Sequence, residues 1–548
     1  MKKILYILAA AALAVSMSSC ASAEKMAKMA DQVKVTCNPE VLAVKGGVIP
    51  ADLTVTYPEK FFAPKAILEV TPVIVYDGGE EALEPLMFQG EKVENNYRVV
   101  ARDGGVVNQS LVFPYKKGMA KSTLELRGRC TVNGGKTWVT LPTKKVADGC
   151  NITETLAGHG YYGVKDHGYQ ETITYNPEGQ VMYQINSSVV RNKELKNDSV
   201  AEFLKALEEV KGNERETLKG IDIVAYASPE GTEELNNKLS DNRSKTADKA
   251  FSKITKKSGL DKDLKSVKSV GEDWEGFKSL VTNSNIEDKD LILRVLNMYS
   301  DPKVREKEIR NMSSIFQDLA KDVLPQLRRA RFIANVEYRN YSDEELQELI
   351  KTDIDVLDEP ALLKAASLCK DKADKKVLYK KAVEKYNSEK ANFALACVAL
   401  DECNVEEAEQ YLALCNGADA DVLNLKGVCA VRKGDLAKAE GLFTKSNTAD
   451  AQKNLGVCAL LKGDYAKAAQ KCGDKGIDAA LAQLLAGNTD KALAIAKCKC
   501  PKAQYVKAIC LARQGKNTEA KEALKKATEG GCKCLAERAA TDVEFANL

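Results

Sequence analysis

The sequence predicts a multidomain protein with an N-terminal β-sandwich, a central α+β domain and a C-terminal all-α solenoid of helical repeats. Three patterns predict this division. Residues 24–157 contain segments in which apolar and polar side chains alternate with a period of two, which is typical of half-buried strands. Residues 176–345 mix strand and helix patterns, and residues 346–548 repeat a helix–turn–helix pattern. The 548 residues leave room for roughly three to four domains.

The composition is that of a folded protein without a strong net charge. The chain is 44% hydrophobic and 29% charged, with 81 basic and 78 acidic residues and a formal charge of +3. This balance gives no electrostatic reason for nucleic-acid binding, so we expect no nucleic acid among the partners. Because the chain has two histidines and no catalytic or phosphate-binding motif in the right context, we expect no enzyme, no cofactor and no metal.

Residues 1–20 have the features of a lipoprotein signal peptide. Two lysines precede an apolar run over residues 4–15, which is typical of a secretory signal and shorter than the roughly 20 residues that span a membrane. The run leads to Met17-Ser18-Ser19-Cys20, which resembles a bacterial lipobox and implies a lipid on Cys20. Ordinary cleavage after Ala21-Ser22-Ala23 is the alternative and gives a soluble periplasmic protein. Both products fold where disulfides can persist.

The predicted sandwich covers residues 24–157 and is immunoglobulin-like in the broad sense. Its clearest strand patterns lie at 33–37, 53–57 and 124–127, with paired glycines marking turns between strands. Any disulfide among Cys37, Cys130 and Cys150 would leave one cysteine over. Residues 158–175, which are rich in Gly and Tyr and contain both histidines, are predicted to be a linker.

The central block, residues 176–345, is predicted to be an α+β domain. Strand patterns at 181–186 and 218–227 alternate with helix patterns at 199–210 and 233–254, and a mostly helical insertion precedes a last strand at 331–336.

The stretch 221–231, followed by Asn236 and Arg243, resembles the OmpA-like C-terminal domain, a family that binds peptidoglycan. Arg328-Arg329 resembles the closing arginine pair of that family, and the stretch 270–274 resembles members from Bacteroidota. The resemblance implies a ligand site for a diaminopimelate end, formed by Ser228, Glu230, Asn236 and Arg243.

In this family an Asp pairs with the ligand ammonium and an Arg forks onto its carboxylate through two hydrogen bonds. The Arg is Arg243, whereas the Asp position is Ser228, so Glu230 or a backbone carbonyl has to serve the ammonium. A lost charge-assisted contact costs on the order of 1.5–3 kcal/mol. In the alternative interpretation, Ser228 and Glu230 only shape a turn while Arg243 pairs on the surface.

Residues 346–548 carry a repeated Gly-Asp/Asn turn followed by an alanine. The clearest copies lie at 433–439 and 462–468, with weaker copies at 486–492 and 514–520. The repeating alanines are 24 to 31 residues apart: Ala408, Ala439, Ala468, Ala492 and Ala520. The glycine is predicted to end one helix and the Asp or Asn to cap the next. The pattern resembles tetratricopeptide repeats, which implies a curved solenoid whose concave surface receives a protein segment.

Cysteine is unusually frequent, with 12 of 16 residues after position 365. Cys429, Cys458 and Cys510 each stand five residues before a turn glycine, with Cys397 close to the equivalent place. Cys415, Cys472, Cys498 and Cys500 fall on or just after the second helices, so we expect disulfides between the two helices of a pair or between neighbouring pairs, which would stabilise a short solenoid. Buried thiols are the second interpretation. Metal binding by the two C-x-C pairs, at 498–500 and 532–534, is the third, although structural zinc sites usually have two residues between cysteines.

Together these features predict a non-enzymatic outer-membrane lipoprotein that faces the periplasm. Its OmpA-like domain would tether the membrane to peptidoglycan, and its repeats would recruit envelope proteins. The alternative is an interaction scaffold of a surface or secretion assembly whose OmpA-like domain no longer binds peptidoglycan; Ser228 favours this alternative.

Overall fold

The structure is a computed structural model that describes residues 22–134, 137–256, 262–286, 289–312, 317–529 and 533–548. The predicted signal peptide and the lipidation site Cys20 lie outside the described residues. The chain divides into two compact units. One combines Met1–Lys165 with Tyr379–Leu548, and the other is Asp166–Leu378. Among the described residues, no helix is both long and apolar enough to cross a membrane.

The N-terminal part of the first unit is built from strands, as predicted. The strands are β1 (Lys34–Asn38), β2 (Leu42–Ala43), β3 (Val48–Tyr57), β4 (Ala66–Tyr76), β5 (Gly79–Ala82), β6 (Leu86–Gln89), β7 (Arg98–Val99), β8 (Gly105–Pro114), β9 (Ser122–Val132), β10 (Val139–Thr140), β11 (Lys144–Asp148) and β12 (Cys150–Asn151). One sheet has the order β1-β3-β8. A second has the order β10-β9-β4-β6-β7, with β11 on β9 and β5 on β4.

The two sheets share one apolar core, which makes this part a sandwich. Every second residue of β3 is buried, so Ile49, Leu53 and Val55 point to one side. They join Leu68 of β4 and Leu124 of β9 in a single buried cluster. The period-two pattern in the sequence is therefore the pattern of residues facing between the sheets.

The C-terminal part of the first unit consists of helix pairs, in agreement with the predicted repeats. The pairs in the described residues are α9 (Glu389–Asp401) with α10 (Val405–Leu412), α11 (Ala420–Arg432) with α12 (Leu436–Ser446), α13 (Ala449–Leu461) with α14 (Tyr465–Lys471), α15 (Ile477–Leu485) with α16 (Thr489–Ile495), and α17 (Pro501–Arg513) with α18 (Asn517–Glu529). Helix α19 (Lys533–Ala539) and a short 3-10 turn, Val543–Phe545, follow.

The turn between the helices of a pair is formed as the sequence predicts. Gly434 and Gly463 end the first helices with φ values of +82° and +74°, which favour glycine. Asp435 and Asp464 then accept a hydrogen bond from the backbone of the third residue of the second helix. The repeating alanines at 408, 439, 468, 492 and 520 are all fully buried, so a larger side chain would separate the helices.

The expected disulfides between repeat helices are absent from the described residues. Cys397, Cys429, Cys458 and Cys510 are free thiols buried in the helix pairs, and burial raises the pKa of the last two to about 12. Equivalent positions of packed helices are about as far apart as the helix axes, 8–10 Å. A disulfide needs about 4.4–6.8 Å between Cα atoms. These residues are therefore core residues, and Cys534 is the one disulfide-bonded cysteine described.

The second unit has the predicted strand, helix, strand and helix order between residues 178 and 254, and an additional first strand lies in the predicted linker. Its strands are β13 (Thr172–Tyr175), β14 (Glu178–Met182), β15 (Glu216–Ala227), β16 (Lys265–Glu272) and β17 (Arg329–Arg339). Its helices are α1 (Asp198–Gly212), α2 (Glu233–Ile254), α3 (Trp274–Thr282), α4 (Lys289–Met298), α5 (Pro302–Asn311), α6 (Asp343–Thr352) and α7 (Glu359–Leu368). Helix α8 (Lys372–Tyr386) contains the boundary between the two units.

One mixed sheet organises this unit. Its order is β13-β17-β15-β16, with β14 also paired to β17. β15 and β16 are parallel, so their carboxyl ends, Ala227 and Glu272, lie side by side. Phe203 of α1, Phe251 of α2 and Phe332 of β17 pack against one another beneath the sheet. Strand β16 lies within the stretch predicted to be helical.

Candidate functional site

The first helices of the repeats form a groove that holds a segment of the same chain. We call the face formed by α9, α11, α13 and α15 the repeat groove, and residues 158–165 the groove segment. The segment starts against α15, where the Gly158 N–H donates to Asp478 Oδ1 at 2.6 Å. It ends near α9, where the Lys165 ammonium lies 5.1 Å from the centre of the Phe393 ring. The segment thus passes four consecutive helix pairs.

Two asparagines of the repeat groove bind the segment through its backbone. Asn454 Oδ1 accepts the Tyr161 N–H at 2.6 Å, and Asn454 Nδ2 donates to the Tyr161 carbonyl at 2.9 Å. Asn424 Nδ2 donates to the same carbonyl at 3.0 Å, and its Oδ1 accepts from Asn454 Nδ2 at 2.9 Å. Both side chains are buried, at 5% and 0% exposure for Asn424 and Asn454. Since these bonds go to main-chain atoms, they recognise an extended backbone rather than a particular side chain.

Glycines let the segment approach the helices closely. A Cβ atom on Gly158 would lie 2.6 Å from Asp478 Oδ2. A Cβ atom on Gly160 would lie 2.9 Å from Val428 Cγ2, and Gly160 also has a φ of +110°. Gly163, in contrast, has nothing within 4 Å of a Cβ position. Two of these three glycines are therefore required by the docked geometry, and the third is not.

Side chains fix the far end of the groove segment. Tyr162 Oη donates to Asp401 Oδ1 at 2.6 Å and accepts from Arg432 Nη2 at 3.2 Å. Lys165 Nζ forms an ion pair with Asp419 Oδ2 at 2.9 Å. These contacts set the direction of the segment, because each pairs a specific side chain with a specific helix.

The near end is fixed by Glu154, a buried carboxylate on the 3-10 turn Thr153–Leu156. Its oxygens accept the backbone N–H groups of Gly46 and Gly47 at 2.8 and 3.0 Å. Tyr465, the first residue of α14, donates its hydroxyl to the same carboxylate at 2.5 Å. One side chain therefore joins a turn of the sandwich to the repeats just before the groove segment begins.

The environment of the segment disfavours a positive charge on His159. Loss of solvent lowers the pKa of the His159 imidazole, and the charges of Arg432 and Lys502 lower it further, while Asp478 opposes them. Burial also raises the pKa of the Tyr161 and Tyr162 phenols. The docked segment is thus held with neutral imidazole and phenol groups.

The repeats were expected to receive a protein segment, and the sequence placed the groove segment in a linker. The asparagines that bind it were not identified from the sequence. A usable signal exists: Asn454 and Asp478 each stand nine residues before a turn glycine, Gly463 and Gly487. A polar residue recurring at a buried position of amphipathic first helices indicates a shared function at that position.

The second candidate site is the strand-end cluster of the second unit, at the carboxyl ends of β15 and β16. Ser228 Oγ donates to Glu230 Oε1 at 2.6 Å. Arg328 holds the Glu230 carboxylate with two hydrogen bonds, of 2.7 and 3.0 Å. Arg310 Nη2 donates to the Glu230 carbonyl at 2.7 Å. Glu230 is therefore already paired with an arginine of the chain.

Arg243 is buried, with 1% of its surface exposed. Its guanidinium donates to three backbone carbonyls, those of Ser187, Tyr226 and Gln184, at 3.0, 2.9 and 3.3 Å. Burial lowers the pKa of this guanidinium to about 10. The expectation that Arg243 pairs on the surface is wrong, and a fork onto an outside carboxylate would require these bonds to break.

Carboxylates next to this cluster form a second network. Asn236 Nδ2 donates to Glu272 Oε1 at 2.9 Å, and Arg329 Nη2 donates to Asp273 Oδ2 at 2.8 Å. Glu306 Oε1 is buried without a hydrogen-bond partner. Burial and the neighbouring Glu272 raise the pKa of Glu306 to about 8.

The structure brings Ser228 and Glu230 together, but it pairs Asn236 with Glu272 and Arg243 with main-chain carbonyls. Peptidoglycan binding by these four residues stays a prediction. Among the described residues, no group of His, Cys, Asp and Glu has the arrangement of a metal site.

Comparisons with known proteins find tetratricopeptide repeat proteins among solved structures. One from Parabacteroides merdae is 13% identical, over 36% of this chain and 90% of its own, with a TM-score of 0.30. A thermophilic one from Thermus thermophilus is 16% identical, over 37% and 99%, with a TM-score of 0.22. YrrB, described as having an unusual peptide-binding site, is 17% identical, over 36% and 99%, with a TM-score of 0.20. Likenesses this low carry no inference about function. No protein-family model and no curated protein matches the chain.

Proposed function

We propose that the protein is a non-enzymatic interaction scaffold of the bacterial envelope whose repeat groove binds extended protein segments. The observation that carries the proposal is the binding of both backbone groups of Tyr161 by Asn454, reinforced by Asn424. These contacts accept any extended backbone that lacks bulk where Gly158 and Gly160 lie. In the resting chain the groove segment occupies the groove, and an envelope protein with a similar extended segment binds by replacing it.

The scaffold role is tested with a labelled peptide of residues 157–166 and the full-length protein. Wild type binds the peptide weakly, because its own segment is present at a high effective concentration. Gly160→Ala displaces that segment, since the added Cβ meets Val428, and we expect it to bind the peptide at least roughly tenfold more tightly.

The double variant Gly160→Ala/Asn454→Ala should lose this gain, and Gly163→Ala should behave like wild type. Equal binding by wild type and Gly160→Ala, or binding that does not need Asn454, contradicts the proposal.

The lipid anchor and the location are part of the proposal and rest on the signal-like sequence of residues 1–20. We propose that Cys20 carries a lipid that places the protein on the periplasmic side of the outer membrane. Cys20→Ala should move the protein from the membrane fraction to the soluble fraction. Protease added to intact cells should leave the repeats uncut, and digestion from outside would place the protein on the cell surface.

The proposed scaffold does not require peptidoglycan binding. The tether hypothesis rests on the resemblance of residues 221–243 to OmpA-like domains and needs Arg243 to bind a stem-peptide carboxylate. The hydrogen bonds from Arg243 to three carbonyls support the scaffold instead. Purified peptidoglycan should therefore not retain the full-length protein. If peptidoglycan retains the protein and free diaminopimelate releases it, the tether hypothesis is restored.

A further inference from the structure

Two cysteines at the start of α17 lie apart from the buried thiols of the repeats. Cys498 is exposed, and Cys500 is the residue just before the helix that begins at Pro501, without a side-chain capping hydrogen bond. The Cys500 N–H donates to Cys498 Sγ at 3.3 Å, which brings the sulfur of Cys498 over the start of the helix. In contrast, Cys458 and Cys510 are fully buried in helix pairs.

Both cysteines line an open cavity of about 420 Å³ beside the repeat groove. Its walls include Ile495 and Val506, and the groove segment contributes Gly158 and Tyr161. The cavity therefore places both cysteines next to a groove that already binds an extended backbone.

We propose that Cys498 and Cys500 form a thiol–disulfide exchange site for the disulfide of a partner polypeptide. Three observations carry this proposal: the C-x-C spacing, the hydrogen bond from the Cys500 N–H to Cys498 Sγ, and the cavity that both cysteines line. The proposal goes beyond the scaffold role and does not depend on it. Cys498 is the attacking residue because it is exposed, and Cys500 is the resolving residue because it is half-buried and hydrogen-bonded to Cys498 Sγ.

The electrostatic surroundings favour this division of roles. Hydrogen bonding from Cys500 lowers the pKa of the Cys498 thiol, whereas burial raises the pKa of Cys500. The amino end of α17 adds positive potential near the sulfur atoms. A thiolate is the nucleophile in disulfide exchange, so these features favour attack by Cys498.

The exchange balances without another reactant. The Cys498 thiolate attacks one sulfur of the partner disulfide, whose S–S bond breaks and releases one partner thiolate. The Cys500 thiolate then attacks Cys498 Sγ, forms the Cys498–Cys500 disulfide and releases the second partner thiolate. Two electrons pass from the protein dithiol to the partner disulfide, and the two protons lost by the cysteines are taken up by the released thiolates. The oxidised pair runs the same steps in reverse with a partner dithiol.

The test uses the reduced full-length protein and glutathione disulfide as the probe, with mass spectrometry as the readout. Wild type should end with a Cys498–Cys500 disulfide and two released glutathiones. Cys500→Ser, which puts a good helix-capping residue at this position, should instead keep one glutathione on Cys498. Cys498→Ser should lose the fast reaction with glutathione disulfide.

Cys403 is the matched control, because it is an exposed cysteine without a neighbouring thiol partner in the chain sequence. Cys403→Ser should react like wild type, and Cys498 should react roughly tenfold faster than Cys403 in the Cys500→Ser background. Equal rates at Cys498 and Cys403 overturn the proposal. A stable glutathione adduct on Cys498 of wild type, without the internal disulfide, also overturns it.

Discussion

Asn454 binds both the N–H and the carbonyl of Tyr161, although 293 residues separate the two in the chain. This pair of hydrogen bonds joins the repeat groove to the groove segment without using a side chain of the segment. A buried amide group that loses such a hydrogen-bond partner destabilises the folded state by about 1–3 kcal/mol. The docked state of the segment therefore depends on Asn454 more than on any surface contact.

Replacing Asn454 should release the groove segment. In Asn454→Ala, the Tyr161 N–H loses its acceptor and the Asn424 amide loses a partner, so the segment should undock for a larger fraction of the time. Chymotrypsin should then cut after Tyr161 and Tyr162 roughly tenfold faster than in wild type. Gln452→Ala is the control, because Gln452 lies on the same helix and its side chain donates a hydrogen bond to Asn447 rather than to the groove segment. Unchanged cleavage in Asn454→Ala would show that the asparagine does not hold the segment.

Binding in the groove should weaken in mild acid because of His159. Its pKa is lowered from 6.5 on docking, so the docked state binds fewer protons than the free segment. Affinity is therefore fully present above pH 6.5 and falls as the pH drops below it. The measurement is the affinity of Gly160→Ala protein for the peptide of residues 157–166 at neutral and mildly acidic pH. The affinity for a peptide with Gln in place of His159 should not depend on pH in this range. An equal pH dependence for both peptides would show that another group titrates.

Glu306 should make the second unit less stable as the pH rises. Its pKa is raised to about 8 in the folded protein against 4.5 ordinarily, so the folded state holds the extra proton between these values. Stability is greatest below pH 4.5 with respect to this group and declines as the pH rises towards 8. Urea unfolding followed by Trp274 fluorescence, in a Trp138→Phe background, measures this. In Glu306→Gln, the stability of the second unit should change less between pH 4.5 and pH 8. An unchanged pH dependence in this variant would contradict the assignment to Glu306.

Arg243 should be a determinant of stability. Removing this buried side chain takes the donor from three backbone carbonyls, which costs on the order of 3 kcal/mol at about 1 kcal/mol for each hydrogen bond. The same Trp274 fluorescence assay should therefore show a lower urea midpoint for Arg243→Ala. Lys245→Ala, exposed on the same helix, should leave the midpoint unchanged. A normal midpoint for Arg243→Ala would instead fit a ligand-binding arginine.

Local sequence signals predicted the helix pairs, because Gly434-Asp435 and Gly463-Asp464 end one helix and cap the next within a few residues. Strand β16 was missed because it is an edge strand with half of its residues exposed and only one buried, which leaves little apolar alternation. The hydrogen bonds of Arg243 depend on tertiary burial, which the motif around it does not encode. The disulfide expectation failed because recurrence in sequence fixes the position of a cysteine on a helix but not its distance from the next.

Hydrogen–deuterium exchange of residues 158–165 in the full-length protein tests the central claim most directly. If Asn454 and Asp478 hold the segment, the Tyr161 and Gly158 amides should exchange slowly in wild type and at least roughly tenfold faster in Asn454→Ala. Exchange in wild type as fast as in an unstructured peptide of the same sequence would contradict a groove that binds its own segment.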